Sequence, residues 1–261
     1  MERRLTDGIL TAAQETVMAR VLTEEQGKRD HLVVHLSGAH AYGFPSPDSD
    51  LDLKAIHIAR TSELLGLSPP AQTFDRAEII DGVEIDYTSN ELAHALSGIL
   101  AGNGNFIERV LGRTAPLASP LLGELAPIVK RSLSKRIYKH YRGFAMNQLA
   151  FLEKEPTVKK LLYVFRTAST GIHALETGEV DADLARLAGP LGLADVPALI
   201  ERKRAGERTA LEPREIDLFR AEITRLFARL DTARDRTTLP DEPPNVDDVK
   251  AWLLHVRRAR L

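Results

Sequence analysis

The 261-residue chain contains no cysteine, which excludes disulfides, thiolate metal sites and a cysteine nucleophile. Neither sign of charge dominates. Lys and Arg together number 35 and Asp and Glu 37, for a formal net charge of −2. Bulk electrostatic attraction to a polyanion is thereby excluded, and only a local basic patch could supply it. No apolar run is long enough to cross a bilayer, and the opening Met1–Asp7 lacks a signal-peptide core. These absences lead to the expectation of a cytoplasmic protein with no membrane association. What is present is an ordinary globular balance, 43% hydrophobic and 28% charged. The length suffices for one large domain or two modest ones.

Periodicity divides the chain into two styles. Leu5–Gln26 has a helical pattern through Ile9, Ala12, Ala13, Val17, Val21 and Leu22. Leu32–Leu36 and Leu51–Ile58 are apolar runs suited to strands, and Glu78–Tyr87 reads as a hairpin turning at Asp81-Gly82, where the glycine accepts positive φ. Beyond Tyr87 strand patterns nearly vanish. Ser89 or Asn90 is the expected cap of a helix running to about Ala101, and Asn105 with Glu108 resembles a capping box. From Ser119 the chain reads as successive helices, with breaks expected at Pro190, Pro197, Pro213 and Pro240–Pro244 and a last helix capped by Asn245. A small mixed α/β unit is thus followed by an all-helical one.

The chemistry concentrates between Ser37 and Lys54. A strand leads into Ser37-Gly38, a polar loop follows, and a second strand carries Asp50 and Asp52. Alternation on a strand points both carboxylates to one side and Leu51 and Leu53 to the other. Carboxylates so placed repel unless a cation lies between them. The strand after Asp81-Gly82 offers a third acid, with Glu84 and Asp86 sharing one face. Three hard oxygen ligands without His or Cys suit magnesium, and two such ions can activate an attacking oxygen and stabilise a leaving pyrophosphate. Backbone N–H groups opening at Ser37-Gly38 suit a phosphate, and Lys54 shares the face of Asp52, where it could balance phosphate charge.

These residues resemble the nucleotidyltransferase superfamily that includes DNA polymerase β, through Leu36-Ser37-Gly38-Ala39 followed by Asp50-Leu51-Asp52-Leu53. They are closer still to a bacterial group of predicted nucleotidyltransferases marked by Ser-Gly-Ser-x-Ala-Tyr-Gly and Pro-Asp-Ser-Asp-x-Asp. Here those motifs read Ser37-Gly38-Ala39-His40-Ala41-Tyr42-Gly43 and Pro47-Asp48-Ser49-Asp50-Leu51-Asp52. Gly102-Asn103-Gly104-Asn105-Phe106-Ile107-Glu108 looks like that group's later motif, and counting back from it favours Asp86 as the third acid. The sequence departs at Ala39, where a serine hydroxyl commonly helps hold the triphosphate, and at His40, where arginine is common.

The resemblance implies an α+β fold: a small mixed-sheet nucleotidyltransferase core, expected over residues 1–112, and a helical region over 113–261 that covers the nucleotide and acceptor cleft. It implies transfer of a nucleoside monophosphate from a nucleoside triphosphate, ATP above all, to an acceptor hydroxyl. Asp50, Asp52 and Asp86 would bind two Mg2+ ions, with Mn2+ as a substitute. Ser37, Gly38, His40 and Lys54 would bind nucleotide together with Lys159, Tyr163 and Arg166, which share one helix face at i, i+4 and i+7. Lys130, Arg131, Lys135, Arg136, Lys139 and Arg142, interleaved with Tyr138, Tyr141 and Phe144, read either as a solvated face or as contacts to RNA. An RNA 3′ end is therefore the expected acceptor. The alternatives are nucleotidylation of a small molecule or protein, and a catalytically silent nucleotide or RNA sensor.

Overall fold

A computed structural model describes residues 8–206 and 209–261. In chain order the elements are α1 (Ala12–Gln26), β1 (Asp30–Leu36), α2 (Gly38–Ala41), β2 (Leu51–Ile58), α3 (Thr61–Leu64), β3 (Thr73–Ile80), β4 (Val83–Glu91), α4 (Leu92–Leu100), α5 (Gly104–Leu111), β5 (Leu117–Ala118), α6 (Pro120–Arg131), α7 (Ile137–Lys154), α8 (Val158–Thr177), α9 (Leu184–Leu191), α10 (Val196–Ala205), α11 (Pro213–Arg236) and α12 (Val246–Arg258). This is an α+β chain, strands first and helices after. The start of the expected first helix, Leu5–Asp7, lies outside the described residues, and α1 begins at Ala12 behind a Thr11–Gln14 capping box.

The chain forms two compact units, and they do not divide at residue 112. One comprises 1–40, 50–132 and 243–261, the other 41–49 and 133–242. Two particulars displace the expected boundary. Helices α6 and α12 pack on each other and on elements of the sheet unit, and the loop inside the signature motif belongs to the helical unit.

In the first unit five strands run in the order β3-β4-β2-β1-β5. Only β2 and β4 pair in parallel; the other neighbours are antiparallel. Val17, Met18 and Val21 of α1 cover one sheet face, packed with Leu51, Leu53 and Ala55 of β2 and Ile85 and Tyr87 of β4. Strand alternation therefore turns Asp52, Lys54 and Asp86 to the opposite face. The β3–β4 turn is as expected, with positive φ at both Asp81 (49°) and Gly82 (81°), the pairing that matches the twist of a short hairpin.

Two expected caps move. Strand β4 runs on through Glu91, whose carboxylate caps α4 by accepting from Ala93 N. Ser89 and Asn90 are unavailable for that task. Ser89 Oγ bonds His57 Nδ1 at 2.8 Å, and Asn90 donates to Thr73 Oγ1 while accepting from Arg109. Asn103 caps α5, so Asn105 and Glu108 lie inside the helix. Asn245 precedes α12 as expected but uses its side-chain amide to bond Ile128 O.

In the second unit α8 is the central helix, flanked by α7, α9, α10 and α11. It is buried along nearly its whole length, including the polar Arg166, Thr167, Ser169 and Thr170. Gly171 lets α7 come close, since a Cβ there would stand 2.6 Å from Tyr141 Cβ.

Candidate active site

Strand β1 ends at Leu36 and α2 begins at Gly38, so the backbone turns sharply at Ser37. Ser37 N donates to Asp52 O at 2.9 Å, tying this turn to β2. Gly38 has φ +60°, and a Cβ added to it would lie 2.8 Å from Asp52 Cγ, with a carboxylate oxygen nearer still. No L side chain fits there without displacing the carboxylate. The glycine turn and the acidic strand are therefore one assembly, with the Asp52 carboxylate seated on the backbone where the turn starts.

The parallel pairing sets Asp52 opposite Asp86, with Leu51 opposite Ile85 and Lys54 opposite Thr88. Glu84 lies on the same face, before the first β2–β4 pair, and pairs instead with Ile79 of β3. Asp50 immediately precedes β2 and is half-buried. Lys54 Nζ stands 2.8 Å from Asp86 Oδ1 and reaches Thr88 Oγ1 at 3.3 Å. An ammonium thus already sits against the carboxylate expected to face a cation.

The donor set is hard oxygen with no thiolate, which suits magnesium. The register brings Asp52 and Asp86 to neighbouring positions, and the Lys54 charge shows the attraction of the Asp86 carboxylate for a cation. Among the described residues no group of three acidic or histidine side chains is already gathered for a metal. Asp52 and Asp86 fit a magnesium site in chemistry and strand register, with Asp86 turned toward Lys54, and Asp50 adds a third hard-oxygen donor one residue before β2.

The remaining expected nucleotide ligands are His40 and three residues of α8. His40 is buried at 3% exposure, beside buried Ala39, so neither departure from the family motif presents a side chain to solvent. Lys159, Tyr163 and Arg166 are all on α8 in the helical unit. Arg166 is 2% exposed, and its guanidinium lies 3.6 Å from the centre of the Tyr42 ring. Tyr163 packs edge-on against Tyr42 and Phe44 at centroid distances of 5.7 and 5.6 Å. Arg166 and Tyr163 therefore support the signature loop, a task that helix spacing alone could not distinguish from ligand binding. Lys159 is half-buried on the same helix.

The same loop reveals residues that sequence reasoning missed. Buried Lys203 donates to Ser46 and Ser49, and Leu184 N donates to Tyr42 O at 2.9 Å. Asp183 lies against Gly43, where a Cβ would stand 2.9 Å from its Cγ. Burial pushes the Asp183 carboxyl above its ordinary range. In sequence Lys203 sits within Arg202-Lys203-Arg204 and looks like any exposed basic run.

The basic helix is largely engaged within its own unit. Lys135 pairs with Asp241 at 2.7 Å, Arg136 with Glu242, and Arg142 with Asp231 at 3.1 Å, while Tyr138 donates to the same aspartate. Arg131, at the end of α6, reaches Asp248 at 3.3 Å. A separate cavity of about 750 Å³ lies among α7, α8 and α11, between Leu152, Phe219, Ile223 and Phe227, and none of the expected metal- or nucleotide-binding residues lines it, although Arg142 of the basic helix does. Among the described residues no helix is long and apolar enough to cross a membrane.

A family model described as "RNA repair pathway DNA polymerase beta family" (RlaP) matches residues 13–255. The curated Uncharacterized protein MJ0002 of Methanocaldococcus jannaschii is 32% identical over 156 residues, which are 58% of this chain and 63% of that protein. The match therefore spans less than two thirds of the relative's length. Among solved structures, a nucleotidyltransferase-like protein from Exiguobacterium sibiricum aligns over 94% of this chain and 80% of its own at 11% identity, with a TM-score of 0.34. So slight a likeness adds nothing to the family match.

Proposed function

Because this chain belongs to the RNA repair pathway DNA polymerase beta family, we propose that it transfers a nucleoside monophosphate from a nucleoside triphosphate, ATP foremost, to the 3′-hydroxyl of an RNA. The observation that carries this reading is the packing of Asp52 on Gly38 beside the register partner Asp86. It brings a turn suited to phosphate and two carboxylates into one assembly. The RNA acceptor rests on the family's description, since the basic helix that first suggested it is mostly paired with acids of its own unit.

In this reading Asp50, Asp52 and Asp86 hold Mg2+, which when bound neutralises charge on the triphosphate and on the leaving pyrophosphate. Ser37 and Gly38 are assigned to the phosphates through the Gly38 backbone N–H and the Ser37 hydroxyl, because the Ser37 N–H is bonded to Asp52 O. With Asp86 holding a divalent ion, the Lys54 ammonium now paired with it would be available to balance phosphate charge. Asp86 accepts the proton of the attacking hydroxyl or orients it. His40, Tyr163 and Arg166 are assigned to supporting these elements from within the protein. Lys159 is the α8 cation we assign to the triphosphate.

The test is incubation with each α-labelled nucleoside triphosphate, Mg2+ or Mn2+, and RNA with a free or a blocked 3′ end. Label on the free-ended RNA alone, lost in Asp50→Asn and Asp52→Asn, is the expected result. Label on a small molecule or a protein would replace the acceptor and keep the reaction. No labelled product in any fraction, with folded protein, would refute the transferase reading and leave a silent sensor. RNA affinity should also fall with salt in proportion to the number of phosphates contacted.

A further inference from the structure

The loop inside the signature motif, residues 41–49, is internal to the helical unit. Tyr42 and Phe44 are buried, as are Ser46 and Ser49. Ser46-Pro47-Asp48-Ser49 closes as a tight turn. Ser49 N donates to Ser46 O at 3.0 Å, Ser46 N donates to Ser49 Oγ at 2.9 Å, and the two hydroxyls lie 3.0 Å apart. Into this turn α10 delivers Lys203, whose side chain has no solvent exposure. Its Nζ donates to Ser46 Oγ at 2.7 Å and to Ser49 Oγ at 2.8 Å.

A buried ammonium is a costly way to hold a turn, because its hydration is lost and must be replaced by well-placed acceptors. An apolar side chain would serve stability at least as well. What the ammonium adds is direction: it grips both serines and so fixes the backbone on either side of Pro47. Ser49 is joined by one peptide bond to Asp50, so a rotation of this turn is passed directly to the Asp50 carboxylate.

We propose that Lys203 is a positioning residue for the acidic motif, setting the backbone at Ser49 and thereby the direction of Asp50. The inference rests on the assignment of Asp50 as a metal-binding carboxylate.

The test compares Lys203→Met, of similar length without charge, with Lys203→Arg, which keeps the donor. Hydrogen exchange reads the Ser46 and Ser49 amides, both bonded within the turn, and needs no activity. In Lys203→Met those amides should exchange about tenfold faster or more while the rest of α10 and the strands keep their protection. Mn2+ binding should weaken, and kcat should fall by roughly 10²-fold with nucleotide KM little changed, as a misplacement of about 1 Å would produce. Lys203→Arg should recover part of both. Unchanged exchange at Ser46 and Ser49, or equal loss in the Met and Arg variants, would overturn the proposal. If Lys203→Met does not fold, Ser46→Ala removes one of the two grips and should give the same localised exchange. A wild-type protein without transferase activity would defeat the functional reading alone, since exchange and Mn2+ binding still decide the role of Lys203.

Discussion

Replacing Gly38 by alanine should disable the protein through Asp52 while leaving it folded. The new methyl would stand 2.8 Å from Asp52 Cγ, whereas carbon atoms settle at about 3.5–4.0 Å. The carboxylate, one of whose oxygens lies nearer still, must therefore retreat by more than about 1 Å. In a site that works by positioning, a shift of that size costs roughly 10²-fold in rate. Stability is affected by two separable contributions. Alanine at φ +60° costs about 1–2 kcal/mol wherever it is placed in the left-handed region. Forcing the Asp52 side chain from its rotamer adds about 1 kcal/mol, but only if that side chain is present. Denaturant melts of Gly38→Ala, Asp52→Ala and the double variant separate the two, because the glycine substitution should cost about 1 kcal/mol less in the Asp52→Ala background. Equal cost in both backgrounds, or transferase activity within threefold of wild type, would refute the seating of Asp52 on this turn.

Three further outcomes are expected. Asp86→Asn should lower transfer by about 10²-fold or more and Glu84→Gln by no more than a few fold; the reverse order in a primer-extension assay would move the third acid to Glu84. Lys54→Met should change unfolding free energy by less than about 1 kcal/mol, since its partner Asp86 is half exposed, and a larger loss in a urea melt would show that the pair is structural. Burial holds the His57 imidazole at a pKa of about 4, so the fold favours its neutral form. Stability should be intact above about pH 6.5 and fall as pH drops toward 4, by about 2 kcal/mol between pH 7 and pH 5. His57→Asn should remove that part of the slope, and an unchanged slope in melts at the two pH values would contradict it.

The parts of this fold that were legible in sequence are those set by neighbours along the chain. The β2 span, the Asp81-Gly82 turn and the face shared by Asp52 and Lys54 follow from alternation and backbone chemistry alone. The α+β class follows from the change of period after Tyr87. What was illegible depends on distant partners. Ser89 and Asn90 are good caps by type, yet pairing with β2 extends the strand through them and His57 and Thr73 take their side chains. Arg166 reads as a nucleotide ligand and Lys203 as a surface cation until Tyr42, Ser46 and Ser49, more than a hundred positions earlier, are folded against them. The basic run from Lys130 to Arg142 acquires its acids from residues 231–248, which no local window contains.

That last pairing bears on how an RNA end could be recognised. A cation already held by a carboxylate in its own unit gains less from a phosphate, because the new contact replaces an existing one. Lys135, Arg136 and Arg142 are all in this position, and the net charge of −2 supplies no attraction from afar. Recognition of a long RNA by its backbone is thus poorly supported by this surface. An acceptor terminus held next to a nucleotide needs few phosphate contacts, and its binding would lose less affinity with salt than that of a protein tracking a strand. If RNA 3′ ends are the acceptors, the log–log salt slope should therefore correspond to about one to three phosphates, and short oligonucleotides should serve nearly as well as long ones. A slope corresponding to about six or more contacts, or a strong dependence on RNA length, would mean that the paired cations exchange their carboxylates for phosphate and that the helical unit carries an extended RNA surface.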